Sequence, residues 1–255
     1  MQTARYSYYK LMRNLIQKIL NPKYEGEEKL RKIEMLLKLS YDTIFYTTST
    51  VICYSIFSSE YWFPTCAGGQ GSCARIYEEY PNWPSTMRNE LEIYFMFHLG
   101  VHLFSIFELL TVRKSKERKY YEWMMHHSVA SSLILFSMMC NEIAAGVMIL
   151  IVHDASDIFL AGGRFYFEAH FKKSSLMTML VLVLLFGTWI YMRLIVFPFC
   201  LLANVSINQP LPTDEWYMIR YEYLYLLIMG CMLVGMHIYW TFYMMKSAYS
   251  SLVKK

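Results

Sequence analysis

Tyr121-Glu122-Trp123-Met124-Met125-His126-His127 opens one apolar run, and His153-Asp154-Ala155-Ser156-Asp157 lies inside the next. Residues 128–140 and 143–152 between them hold no Lys, Arg, Asp or Glu. A helix needs about 20 predominantly apolar residues to cross a bilayer, and both runs meet that length. His126, His127, His153, Asp154 and Asp157 are thereby placed at membrane depth. A charged side chain there costs at least about 3 kcal/mol unless it is paired or solvated. Five ionisable groups kept together in such a place ask for a function.

The remainder of the chain agrees with a membrane reading. Of its 255 residues, 56% are hydrophobic and 17% charged, and the mean hydropathy is positive. That composition excludes a disordered chain and disfavours a soluble domain. Six stretches approach spanning length: Tyr41–Phe57, Leu91–Val112, Trp123–Cys140, Ile143–Gly163, Leu176–Leu202 and Tyr221–Met245. The first is the weakest, being rich in Thr, Ser and Tyr. Most of the 24 Lys and Arg fall before residue 41, in Arg113–Lys119, in Arg164–Lys173 and at the C-terminal end. The other connections hold only Arg75, Arg88 and Arg220, with Arg193 inside the fifth stretch. This alternation is what the positive-inside rule produces for an even number of spans. It predicts an all-α, polytopic protein of six transmembrane helices with both termini in the cytosol or a matrix-like compartment. The net charge of +4 follows from the same asymmetry, so no nucleic-acid partner is expected. Membrane lipids are.

Residues 1–40 read as a basic amphipathic segment, with Leu11, Leu15 and Ile19 at helical spacing among Lys and Arg. They show neither the apolar core nor the cleavage site of a signal peptide. Residues 41–248 are expected to form the membrane domain, and 249–255 a short basic tail. Cys66 and Cys73 flank Gly68-Gly69-Gln70-Gly71 in the long outer loop and form a candidate disulfide if that side is oxidising. Asn204-Val205-Ser206 is a glycosylation sequon close enough to a span end to stay unused.

At 1.5 Å per residue, His126 and His127 lie about 5 Å below the basic surface, Asp157 about 9 Å and His153 about 15 Å from that side. His153 and Asp157 are four residues apart, and Asp154 and Asp157 three, so all share one helix face. Three chemistries fit such a set. A His bonded to an Asp removes a proton or attacks an acyl carbonyl; the groups bind a metal; or they form a packing network. Metal binding is the weakest of these, because no helix carries a clean ligand set, and no metal is expected. His98 and His102 share a face of the second span and read as core or tyrosine-packed residues. Arg193 reads as a snorkelling or ion-paired cation.

The pattern resembles the ceramide-synthase signature of the TLC family of membrane proteins. A basic loop Arg113–Lys119, the step Tyr121-Glu122, the pair His126-His127, Asn141, Gly146, His153-Asp154-x-x-Asp157 and Arg164 follow one another as in that signature. Outlying matches are Cys73 with Tyr80-Pro81, Arg193-Leu194 with Phe197-Pro198-Phe199, and His237 with Trp240. The resemblance covers roughly 61–248. It implies a TLC-type barrel of six helices and acyl transfer from acyl-CoA to the amine of a sphingoid base. It makes His126 or His127 the nucleophile or base, with Asp154 and Asp157 orienting imidazoles and His153 completing the relay. Arg164, His237 and Trp240 would bind substrate, acyl-CoA would serve as co-substrate, and no cofactor is expected. The chain departs from the family at Ala144, where a basic residue is usual, and at Ala161, where a Glu is usual. A retired TLC-fold subunit within a larger membrane complex is therefore the alternative. The endoplasmic reticulum is the expected location, with the mitochondrial inner membrane as the alternative.

Overall fold

A computed structural model describes residues 2–20, 22–76, 88–113, 120–140, 142–169, 174–204 and 216–253. Tyr80-Pro81, the basic residues 114–119, Asn141, Lys172-Lys173, Val205-Ser206 and the last two residues lie outside them. Seven α-helices make up most of what is described: α1 Gln2–Lys18, α2 Gly26–Phe57, α3 Arg88–Glu108, α4 Tyr120–Met139, α5 Ile143–Glu168, α6 Ser175–Trp189 and α7 Trp216–Val253. There is no β-strand among the described residues, only an isolated bridge between Pro64 and Gly71. Four helical stretches are long and apolar enough to cross a membrane: Glu92–Thr111, Ile143–Glu168, Ser175–Leu202 and Leu224–Ser250. The protein is an all-α membrane protein. The other two expected spans are helical, on α2 and α4, but polar residues dilute them. Thr47, Thr48, Ser49 and Thr50 interrupt the first; Glu122, the two histidines and four serines interrupt the second.

Local chemistry explains several boundaries. Ser174 caps α6, its hydroxyl accepting the Met177 N–H at 3.2 Å. Glu27 and Glu28 sit in the first turn of α2, where the helix dipole favours negative charge. Beyond Trp189 the chain widens into a π-helical stretch, Ile190–Leu202, that contains Pro198. Proline cannot donate the usual backbone bond and crowds the carbonyl four residues back, so a wider winding there accommodates the ring.

The chain folds as two compact units. The first comprises Met1–Ile56 and Ile151–Met192. Within it Ile16, Leu20, Ile33, Leu36, Leu37 and Ala169 form a buried core, with Tyr9, Met12, Ile19, Tyr24 and Phe165 against it. The α1 helix thus buries one face on α2 and α5, while Leu11 and Leu15 stay exposed among basic residues. Lys32 Nζ meets Glu168 at 2.6 Å, tying α2 to the end of α5. The boundary expected at residue 40 falls inside α2, which runs unbroken from Gly26 to Phe57.

The second unit comprises Phe57–Leu150 and Arg193–Lys255. Phe57 packs on Trp62 at 5.8 Å and Tyr94 at 6.1 Å, anchoring the long loop to α3. Gly146, at the start of α5, lies against Phe95 and Ser137, and a Cβ there would have no room. Phe136 and Tyr225 stack at 4.4 Å, and the Ser132 and Tyr225 hydroxyls meet, joining α4 to α7.

Candidate functional site: a histidine–tryptophan cluster

One constellation in the second unit gathers imidazoles from three helices. The α4 helix carries His126 and His127 one turn after Glu122 and Trp123, α3 brings His102, and α7 brings His237 and Trp240. His102 Nδ1 lies 3.1 Å from His127 Nδ1. With both rings neutral, two Nδ1 atoms in contact share a single proton, so the two histidines must hold opposite tautomers. The ring that donates through Nδ1 leaves its own Nε2 bare, as base or nucleophile. His126 is buried, 5.4 Å from His127 and edge-on to Trp240 at 5.2 Å. Trp123 stacks over His127 at 6.0 Å and lies 5.9 Å from Trp240.

Glu122 braces this aromatic wall. Its Oε2 accepts the Trp240 indole N–H at 3.2 Å, and its Oε1 accepts the Tyr239 hydroxyl at 3.2 Å. Behind Trp240, Arg193 donates from Nη1 to His237 Nε2 at 3.1 Å. A guanidinium only donates, so the proton of a neutral His237 resides on Nδ1. Arg193 is 1% exposed and His237 0% exposed. The arginine expected to snorkel or ion-pair is a buried cation on the π-helical stretch, hydrogen-bonded to an imidazole.

His102 was expected as a core or tyrosine-packed residue, and the structure brings its ring to His127. The register between α3 and α4 depends on the path of the chain between them, which helical spacing does not specify. His98 matches its expected role, buried and packed on Tyr94 at 4.6 Å. Of the residues expected to bind substrate, His237 and Trp240 join the cluster.

His153, Asp154, Asp157 and Arg164 lie on the part of α5 that belongs to the first unit. The expected set is thus divided between the units. Asp154 is buried and accepts the Ser49 hydroxyl of α2 at 2.5 Å. Ser156, between the two aspartates, turns its hydroxyl back to the carbonyls of Val152 and His153 at 3.1 and 2.9 Å. Asp157 is half-buried and Arg164 exposed. Ala144 and Ala161 are both buried, positions where a charged residue would carry a desolvation cost.

The expected Cys66–Cys73 pair is also corrected. Cys73 is bonded to Cys200 of the π-helical stretch, with Cα atoms 5.5 Å apart, inside the range a disulfide spans. Cys66 lies beside this bond, 3.4 Å from each sulfur.

A helical membrane protein with a histidine cluster between Trp123 and Trp240 is the class these features define. A TLC-domain family profile matches residues 38–246, and the chain belongs to the TLC-domain family. It is similar to ceramide synthase 1 LOH3 of Arabidopsis thaliana, 27% identical over 221 residues, which cover 84% of this chain and 68% of that protein. It is similar to ceramide synthase 4 of Mus musculus, 30% identical over 216 residues, 83% of this chain and 49% of that one. Ceramide synthase hyl-1 of Caenorhabditis elegans is 31% identical over 165 residues, 61% of this chain and 43% of that one. The matched segments thus span between 43% and 68% of these relatives' length.

Proposed function

We propose that the protein is a membrane-embedded N-acyltransferase that moves a fatty acyl group from acyl-CoA to the amine of a sphingoid base. The observation that carries this reading is the His102–His127 contact beside His126. In neutral rings it directs the unprotonated nitrogen of the donating histidine to Nε2, the lone pair that amide synthesis from a thioester uses. The ceramide synthases among its relatives support the substrate class.

In this reading His127 donates its Nδ1 proton to His102 and works through Nε2. As nucleophile, Nε2 forms a bond to the acyl carbon while the carbon–sulfur bond breaks and CoA leaves as thiolate. The amine then attacks the acyl-imidazole, the carbon–Nε2 bond breaks, and the surplus ammonium proton passes to the thiolate or solvent. As general base, Nε2 instead takes the amine proton directly. The general-base route contributes on the order of 10²–10⁴-fold. Trp123 and Trp240, braced by Glu122, give the acyl chain a flat apolar wall. His153, Asp154 and Asp157 are assigned to the same reaction as the second half of the family signature, with exposed Arg164 contacting CoA phosphates. Acyl-CoA is the co-substrate, and no metal or resident cofactor enters. All six apolar stretches span the membrane, α2 and α4 among them, with the basic side cytosolic and the endoplasmic reticulum as location.

The test is turnover by the full chain, purified in mild detergent and returned to lipid, with a panel of acyl-CoAs and long-chain bases. Mass spectrometry should detect the N-acyl product, and His127→Ala should abolish it without loss of fold. Absence of product across the panel overturns the enzymatic reading. Undiminished product from His127→Ala overturns the assignment of that residue.

A further inference from the structure

The long loop of the second unit places its two cysteines by backbone geometry. Cys66 sits on the single 3₁₀ turn Thr65–Ala67, and Cys73 opens a second, Cys73–Arg75. Gly68 ends the first turn at φ +88°, a conformation glycine adopts without strain. The return strand is pinned to the outgoing one. Gly71 N–H donates to Phe63 C=O at 2.7 Å, Ser72 N–H to Tyr61 C=O at 3.0 Å and Gln70 N–H to Ser58 C=O at 3.1 Å. A Cβ at Gly71 would strike the Tyr61 carbonyl, so only glycine permits this approach. The turn therefore delivers the Cys66 and Cys73 sulfurs to one spot, and Cys200 enters it from the π-helical stretch. All three sulfurs lie within 4.8 Å of one another.

We propose that Cys66, Cys73 and Cys200 form a thiol–disulfide exchange site, in which the disulfide relocates among the three sulfurs. The Cys66 thiolate attacks Cys73 Sγ, the Cys66–Cys73 bond forms and the Cys73–Cys200 bond breaks. Cys200 leaves as thiolate and takes up the proton that Cys66 lost. Attack on Cys200 Sγ gives the other isomer, with Cys73 leaving. Atoms and electrons balance within the three residues, and no oxidant or reductant is consumed. Exchange proceeds through an in-line approach of the three sulfurs. The equal 3.4 Å separations put Cys66 beside the bond, within reach of both sulfurs, and exchange requires its thiolate to swing from this broadside position to the axis beyond the sulfur it attacks.

Relocation changes what the bond holds. Cys73–Cys200 ties residues 127 apart in sequence, joining the loop to the end of a helical span. Cys66–Cys73 closes a loop of residues 7 apart and releases that tether. Burial raises the Cys66 thiol pKa above its usual range, against the opposing pull of the backbone N–H groups of Cys66 and Ala67. Only a small thiolate fraction is then present near neutral pH, and the isomers interconvert slowly. The tethered form persists on short timescales, while the loop-closed form remains accessible.

The experiment uses the full chain in mild detergent, quenched with acid at intervals, alkylated with N-ethylmaleimide and mapped by non-reducing peptide mass spectrometry. Wild type incubated at mildly alkaline pH should accumulate Cys66–Cys73 or Cys66–Cys200 at the expense of Cys73–Cys200. Cys66→Ser, which removes the attacking thiol, should hold Cys73–Cys200 at every time point. Wild type holding only Cys73–Cys200 at every time point overturns the proposal without reference to any variant. So does a preparation with all three cysteines alkylatable and one zinc ion per chain, which would make the cluster a metal site.

Discussion

Replacing His102 by Leu tests whether the contact with His127 organises the chemistry or only fills space. The Nδ1–Nδ1 hydrogen bond of 3.1 Å is a neutral pair, worth about 1 kcal/mol net to stability. Removing one partner of this part-buried pair should lower thermal stability by about 1–3 kcal/mol, even though leucine refills the volume. The catalytic effect should be distinct from this. Without His102, the contact that places the His127 proton on Nδ1 is lost, and the proton can shift to Nε2, the atom assigned to the acyl group. A bias of about 1.4 kcal/mol between tautomers is a factor of ten in rate. We therefore expect kcat for N-acylation to fall about tenfold, with KM for acyl-CoA within about twofold. His102→Asn supplies a carbonyl oxygen close to the lost Nδ1 and should recover most of kcat. The assay is single-turnover acylation with matched melting curves. A His102→Leu protein with wild-type kcat refutes the reasoning, as does equal loss in both variants at equal stability.

Three further outcomes follow from contacts within one unit each. Ser49→Ala removes the hydroxyl given to buried Asp154 at 2.5 Å and should cost about 1–3 kcal/mol in detergent melting. Unchanged melting would mean that another group replaces it. Arg193→Lys keeps the charge but lacks the planar fork that reaches His237 at 3.1 Å. It should destabilise about as much as Arg193→Leu, within roughly 1 kcal/mol, and full rescue by Lys would count against a directed hydrogen bond. Burial works against the Lys32 ammonium, yet the hydrogen bond and charge of Glu168 outweigh it and raise the Lys32 pKa. That contribution is complete below the ordinary lysine range and is lost as pH rises through the raised value. Lys32→Met should therefore narrow the gap to wild type at strongly alkaline pH and in high salt, with a neutral-pH effect below about 1 kcal/mol because the pair is largely solvated. A gap indifferent to both would assign the effect to packing.

Sequence alone was enough for the class and for much of the site. Apolar runs of about 20 residues need internally satisfied backbone, which in lipid means helices. Charged and imidazole groups inside those runs carry a desolvation cost, and this singled out His126, His127, His153, Asp154 and Asp157 as candidates. Local glycine chemistry likewise pointed to the Cys66–Cys73 loop. What it left open depends on which helices become neighbours and in what register. Nothing in the spacing from residue 102 to residue 127 reveals that the two rings meet, because helical periodicity does not fix the register between two separate helices. Arg193 and Cys200 are both buried on the π-helical stretch that contains Pro198, so a cation expected to snorkel or ion-pair is a buried hydrogen-bond donor, and Cys73 has a partner 127 residues away. Periodicity fixes the face on which a side chain lies; only packing between distant segments decides what that face meets.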